Sequence, residues 1–77
     1  MSQKHSNQYK LIGQTIKKYR KLVGYTQEQL ADKANISISY LTKIEAVNCE
    51  QPFSLEVLFD LAEVMNISIH QLLEEIE

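Results

Sequence analysis

The chain has 77 residues, eight Lys and Arg against ten Asp and Glu, and one cysteine, so it is about one domain long and has no disulfide to staple it. That excludes a disulfide-built secreted mini-protein, and neither a charged-then-apolar leader nor a span-length apolar run is present, so a cytoplasmic, reducing location with no membrane contact is expected. Charge is segregated: residues 1–43 hold every Lys and Arg against only Glu28 and Asp32, a balance of +6, while residues 44–77 hold eight acids and no base, which predicts one basic and one acidic pole.

Apolar residues recur every three or four positions, the period of helices rather than strands. With no repeats and no Gly/Pro-rich linker, the expectation is one all-α domain over residues 1–77, made of five short helices. The first is predicted from about Asn7 to Val23, capped by Ser6 or Asn7. It would bury Ile12, Ile16, Tyr19 and Val23 and turn Lys10, Lys17, Lys18 and Lys21 outward. Gly24 stands where a left-handed residue would end it. Thr26 with Gln29 three residues on is a capping box. It predicts a helix from Gln27 to Ala34 that buries Leu30, Ala31 and Ala34. Asn35 follows, the non-glycine residue type most tolerant of a left-handed turn. Ser37 then caps a third helix through about Glu45, with Leu41 and Ile44 inward.

Residues 46–52 are predicted to form a loop. Ser54 caps a fourth helix, with Glu56 in its favourable first turn and a stripe of Leu55, Leu58, Leu61, Ala62 and Met65. Asn66 ends that helix, and Ser68 with Gln71 forms a second capping box. A fifth helix carrying Ile69, Leu72, Leu73 and Ile76 is expected to run to the C-terminus.

Helices two and three are separated by little more than Asn35 and Ile36. Two helices joined so tightly cross at a large angle, the geometry of a helix-turn-helix unit, here about residues 26–45. In such a unit the second helix enters the major groove of DNA by its N-terminal end, while the first lies across the backbone. With Leu41 inward, Ser39 and Lys43 fall on the opposite face of the third helix and Thr42 beside them.

Three runs carry a family resemblance: Ile12-Gly13-Gln14-Thr15-Ile16-Lys17-Lys18-Tyr19-Arg20-Lys21, then Gly24-Tyr25-Thr26-Gln27-Glu28-Gln29-Leu30-Ala31, then Ile36-Ser37-Ile38-Ser39-Tyr40-Leu41-Thr42-Lys43-Ile44-Glu45. Together with Leu61-Ala62 through Leu73 they resemble the Cro/phage-repressor-like (Xre-type) helix-turn-helix transcription regulators, the SinR-type DNA-binding domain in particular. The resemblance spans about residues 11–74 and implies a five-helix, lambda-repressor-like fold. It also implies roles. Gln27 matches a phosphate-clamping glutamine, and Ser37 with the start of its helix would also meet phosphate. Ile38, Ser39, Thr42 and Lys43 match positions on or near base edges, Ile38 being placed to meet a thymine methyl. Tyr40 lies on the flank, within reach of phosphate. Arg20 and Glu45 match a pair bonded between the first helix and the end of the third. Ala46-Val47 replaces the basic residue and glycine of many relatives, and Pro52-Phe53-Ser54 lengthens the loop by about one residue.

The expected function is therefore a sequence-specific regulator of double-stranded DNA, a homodimeric repressor or controller on a palindromic operator. Ile69, Leu72, Leu73 and Ile76 offer an apolar face for that dimer. The competing class is an interaction protein, such as an antitoxin whose acidic C-terminal half docks a second protein. No nucleophile–base–acid set, phosphate-cradling Gly loop or metal-ligand spacing is present, so neither an enzyme nor a cofactor is expected. His5 and His70 are far apart in sequence, and Cys49 is read as an ordinary loop thiol.

Overall fold

The computed structural model describes residues 4–47 and 52–76. Five helices follow one another: α1 (Ser6–Val23), α2 (Gln27–Ala34), α3 (Ile38–Glu45), α4 (Leu55–Met65) and α5 (Ile69–Leu72). Most of the loop expected over 46–52, including Asn48 and Cys49, lies outside the described residues.

The helix ends follow local chemistry. Thr26, Ser37, Ser54 and Ser68 each accept a hydrogen bond from the backbone N–H three residues on, and Thr26–Gln29 and Ser68–Gln71 close both halves of a capping box. Three helices end on a left-handed residue: Gly24 (φ 89°), Asn35 (φ 59°) and Asn66 (φ 57°). In each case the N–H of the next residue reaches five residues back: Tyr25 to Arg20, Ile36 to Ala31 and Ile67 to Ala62, all at 3.0 Å. This closure consumes carbonyls that the helix end would leave free, and the residue after the turn folds back onto the helix. Tyr25, Ile36 and Ile67 accordingly pack against the core. Helix α1 starts differently from the expectation. Its cap is His5, which makes no side-chain cap bond, and Ser6 is already helical.

Among the described residues, six large side chains are essentially removed from solvent: Ile16 of α1, Leu30 of α2, Leu41 and Ile44 of α3, Leu61 of α4 and Leu72 of α5. Every helix thus contributes to one core. Burying one such side chain is worth about 1.5–3 kcal/mol, a large part of what a domain this small can muster. Helix α1 packs on α3, α4 and α5, while α2 packs on α3 and α4.

Two predicted core residues are exposed instead. Val23 is 40% exposed at the end of α1. Leu55 is 62% exposed because it is the first residue of α4 and overhangs the core that Leu58, Leu61, Ala62 and Met65 fill. Helix α5 is only four residues long, not a helix to the C-terminus. Beyond it Leu73, Glu74 and Ile76 donate to carbonyls three residues back, a tighter winding than the α-helix. Two forces hold that winding. Leu73 and Ile76 rest on the core, and the Glu74 carboxylate is bonded to Lys18 and to Tyr19 Oη (2.7 Å) on α1.

Candidate nucleic-acid interface

The turn between α2 and α3 is Asn35-Ile36-Ser37, with Asn35 left-handed and Ser37 extended. Ala31 is 2% exposed where α2 meets its neighbours. Helix α3 is held from three sides. Its apolar face, Leu41 and Ile44, is sunk in the core. Its C-terminal end lies against α1 so closely that a Cβ on Gly13 would stand 2.1 Å from the Ile44 carbonyl oxygen. Next to it, Gln14 Nε2 donates to the Glu45 carbonyl at 2.9 Å. Glycine is required at position 13 by this approach of two backbones, not by a positive φ.

The third hold is polar. Arg20 and Glu45 are 8% and 3% exposed. Arg20 Nε donates to Glu45 Oε2 at 2.8 Å, Nη2 to Oε1 at 3.0 Å, and Nη1 to the Tyr25 carbonyl at 2.8 Å. Gln27 Nε2 adds a fourth bond, to Glu45 Oε1 at 3.0 Å. A buried carboxylate is tolerable only when its lone pairs are met. Here donors from α1 and α2 meet it, and the one carboxylate joins three helices.

What α3 turns outward is Ser39, Thr42 and Lys43, all exposed, with Ile38 (47% exposed) at the start of the same face. Tyr40 is half-buried on the flank and packs against the core. Ser37 is exposed, its hydroxyl oxygen accepting from the Tyr40 N–H at 3.0 Å, which leaves the hydroxyl proton for an outside acceptor. The first N–H groups of α2 and α3 have no acceptor within their own helix, the arrangement that attracts phosphate. Gln27, half-buried at the first position of α2, is joined to α3 through Glu45 and lies 3.4 Å from Thr42 Oγ1. The Thr42 hydroxyl has a closer acceptor, the Ile38 carbonyl, at 2.8 Å.

Gln27, Ser37, Ile38, Ser39, Tyr40, Thr42 and Lys43 thus belong to one unit, the two N-termini and outer face of α2 and α3. Sequence reasoning missed Gly13, Gln14 and the Gln27–Glu45 bond. A glycine inside an amphipathic helix was the available signal for the first; the glutamines gave none.

The four residues assigned to a dimer face differ in exposure. Leu72 is 0% exposed, and Ile69, Leu73 and Ile76 are half-buried against the same core. Helix five therefore has less apolar surface to spare than its sequence suggests, because its short length folds it onto its own domain. Among the described residues, the exposed large apolar side chains of α4 are Leu55 and Phe59, 62% and 52% exposed and one turn apart. Among the described residues no group of three His, Cys, Asp or Glu gathers to hold a metal ion, and no helix is long and apolar enough to cross a membrane.

This architecture has known counterparts. The helix-turn-helix family pattern matches residues 16–72. The chain is 43% identical over 65 residues to the HTH-type transcriptional regulator SinR of Bacillus subtilis (strain 168), a match covering 84% of this chain and 58% of SinR. It is 45% identical over 60 residues to the HTH-type transcriptional regulator YazB of the same organism, covering 78% of this chain and 84% of YazB. A solved SinR protein/SinI protein complex superposes with a TM-score of 0.76 at 44% identity, over 83% of this chain and 61% of the other. A crystal structure of SinR, the master regulator for biofilm formation, in complex with DNA superposes at 0.74 and 44% identity, over 80% of this chain and 97% of the other. The chain spans little more than half the length of the SinR regulators it matches. With the matched region covering α2, the turn and α3 and most of the remaining fold, the chain belongs to the Xre/Cro-type helix-turn-helix family.

Proposed function

We propose that the chain is a sequence-specific double-stranded DNA-binding transcription regulator, a cytoplasmic homodimeric repressor or controller acting on a palindromic operator. The observation that carries this reading is the outer face of α3. Ile38, Ser39, Thr42 and Lys43 are exposed on a helix whose other faces are locked by core packing, by the close approach at Gly13 and by the Arg20–Glu45 bridge. A short polar face on a rigid, otherwise apolar helix is suited to reading base edges. Gln27, Ser37 and Tyr40 flank it as phosphate contacts. SinR, a relative of known fold, has been solved on DNA, which supports the same use here.

The homodimer reading rests on recognition geometry and on surface chemistry. One recognition helix covers only a few base pairs, and a two-fold pair doubles the site with half-sites about one turn apart. Leu55 and Phe59, exposed one turn apart on α4, offer apolar surface to a second copy, and Leu55 also stands at a groove lined by Tyr9, Ile12 and Leu73. Glu56, Asp60 and Glu63 are carried on the same helix, Glu56 and Glu63 exposed and Asp60 half-buried. Leu72, buried in its own core, has no part in this face. The competing reading, an antitoxin-like protein, would give the same surface to a different chain. Light scattering at micromolar concentration separates them: a dimer that Leu55→Glu converts to a monomer, with operator affinity falling in parallel, supports pairing of like copies. A monomer that binds a palindrome non-cooperatively refutes it. Binding to a random duplex pool at modest salt tests the DNA reading itself, and the absence of any preference would refute that.

A further inference from the structure

The side chain of Gln27 is not free to choose its orientation. A carboxamide carries a donor end and an acceptor end of nearly equal size, and phosphate, an acceptor, can be met only by the donor end. In an exposed glutamine solvent allows either end to face inward. Here Glu45 decides. Its carboxylate, an acceptor only, is 3% exposed and gripped by Arg20 through Nε and Nη2. Gln27 Nε2 donates to the same carboxylate at 3.0 Å. The reverse orientation would set the amide oxygen against a carboxylate oxygen in a site closed to water, an unmet pair of acceptors. The nitrogen has two hydrogens, so one remains for an outside acceptor, while Oε1 stands 3.4 Å from Thr42 Oγ1 on α3.

We propose that Glu45, besides bridging helices, is a positioning residue for DNA binding: through Gln27 Nε2 it fixes the amide so that its second N–H is presented to a backbone phosphate at the start of α2. Resting on the DNA-binding reading, this sets phosphate clamping by α2 and base reading by α3 from one buried carboxylate. An exchange of Glu45 therefore changes binding in two ways, by loosening α3 and by freeing the amide, and only the second depends on Gln27.

The test is a double-mutant cycle on duplex affinity with Gln27→Ala, Glu45→Gln and the pair, all at a temperature where circular dichroism shows each variant folded. A hydrogen bond to a charged phosphate is worth about tenfold in affinity or more, so Gln27→Ala should weaken binding by that order. Glu45→Gln should weaken the wild type by at least a similar factor, and the Gln27→Ala protein by distinctly less. An equal fold-loss in both backgrounds would mean that Glu45 acts only by holding α3, and would overturn the proposal. The second measurement needs no variant and no DNA: in the free protein, nitrogen-15 NMR should show one Gln27 side-chain amide proton shifted downfield and slow to exchange. Two solvent-like amide protons would overturn the proposal whatever the duplex experiments gave. A locked amide in a protein that binds no duplex would instead overturn the DNA reading, and the positioning role with it.

Discussion

Helix α1 is tied to the helix-turn-helix unit through Arg20 and to the C-terminal turns through Lys18, by the same chemistry at different depths. Arg20 reaches Glu45 through two nitrogens, both residues are nearly removed from water, and Gln27 gives the carboxylate a third donor. Lys18 reaches Glu74 in the open, with side chains 48% and 31% exposed and Tyr19 as the second donor. Solvent competes for the outer pair and screens it; the inner pair has no such alternative. The molecule thus has a rigid half that presents α3 and a looser end where a four-residue helix gives way to tight turns. Rigidity lies where the proposed reading surface would need fixed geometry.

The largest effect should come from core residues that sequence alone would place on a surface. Leu72→Glu buries an unpaired charge and should abolish cooperative thermal unfolding, since a domain this size has roughly 3–5 kcal/mol to lose. Leu55→Glu, at a 62% exposed position, should leave the melting temperature nearly unchanged. If both variants melted like the wild type, the assignment of Leu72 to the core would be wrong.

Next in size is the inner ion pair. Glu45→Ala strands the Arg20 guanidinium in a buried site and should cost roughly 3–5 kcal/mol, read by urea denaturation. An unchanged midpoint would place the pair among weak surface contacts, and the contrast between the two ties would collapse. Gly13→Ala sharpens the same comparison. Alanine gains about 1 kcal/mol in helix propensity, yet its Cβ would meet the Ile44 carbonyl oxygen at 2.1 Å and must push α3 away. Overpacking of this kind costs roughly 1–3 kcal/mol, so net destabilisation and weaker duplex binding are expected. A stabilised variant would show that α1 and α3 are not in close register there.

The smallest effect belongs to the outer pair. Its hydrogen bond to Glu74 raises the Lys18 ammonium above the ordinary lysine value, and hydrogen bonds from Lys18 and then Tyr19 hold the Glu74 carboxyl below the ordinary glutamate value. The lowered carboxyl makes the tie present above the usual carboxylate range and lost as pH falls through the depressed value. The raised ammonium makes it present below the usual lysine value and lost as pH rises through the elevated one. At neutral pH both conditions hold. Glu74→Gln should scarcely move the melting temperature but should speed amide exchange at Leu73 to Ile76. Unchanged exchange there would mean that apolar docking alone holds the turns.

The contrast between the halves also explains what the sequence revealed. Thr26, Ser37, Ser54 and Ser68 as caps, and Gly24, Asn35 and Asn66 as left-handed ends, were legible because each acts on backbone within a few residues of itself. The inward set Leu30, Ala31, Ala34, Leu41 and Ile44 was legible because α2 and α3 are short and their period is clean. The length of α5 was not, because Lys18 and Tyr19 on α1, more than fifty residues earlier, hold Glu74 in place. Leu55 was misplaced because periodicity says which way a residue points and not whether a neighbour is there to cover it. Gln14 was silent, and Gly13 signalled only that something was unusual, for a similar reason: their meaning lies in the distance between two backbones.

On the proposed function, the outer face of α3 reads base sequence while the residues around it hold the phosphates. Selection from a random duplex pool tests it directly, comparing wild type with Ser39→Ala, Lys43→Ala and Gln27→Ala at one salt concentration. A defined preferred site is expected for the wild type. The preference should be relaxed at particular positions, by about 1–3 kcal/mol each, in the two α3 variants, with affinity lowered but preference intact in Gln27→Ala. A wild-type pool with no preferred site, or α3 variants that select the same site with the same discrimination, would contradict it.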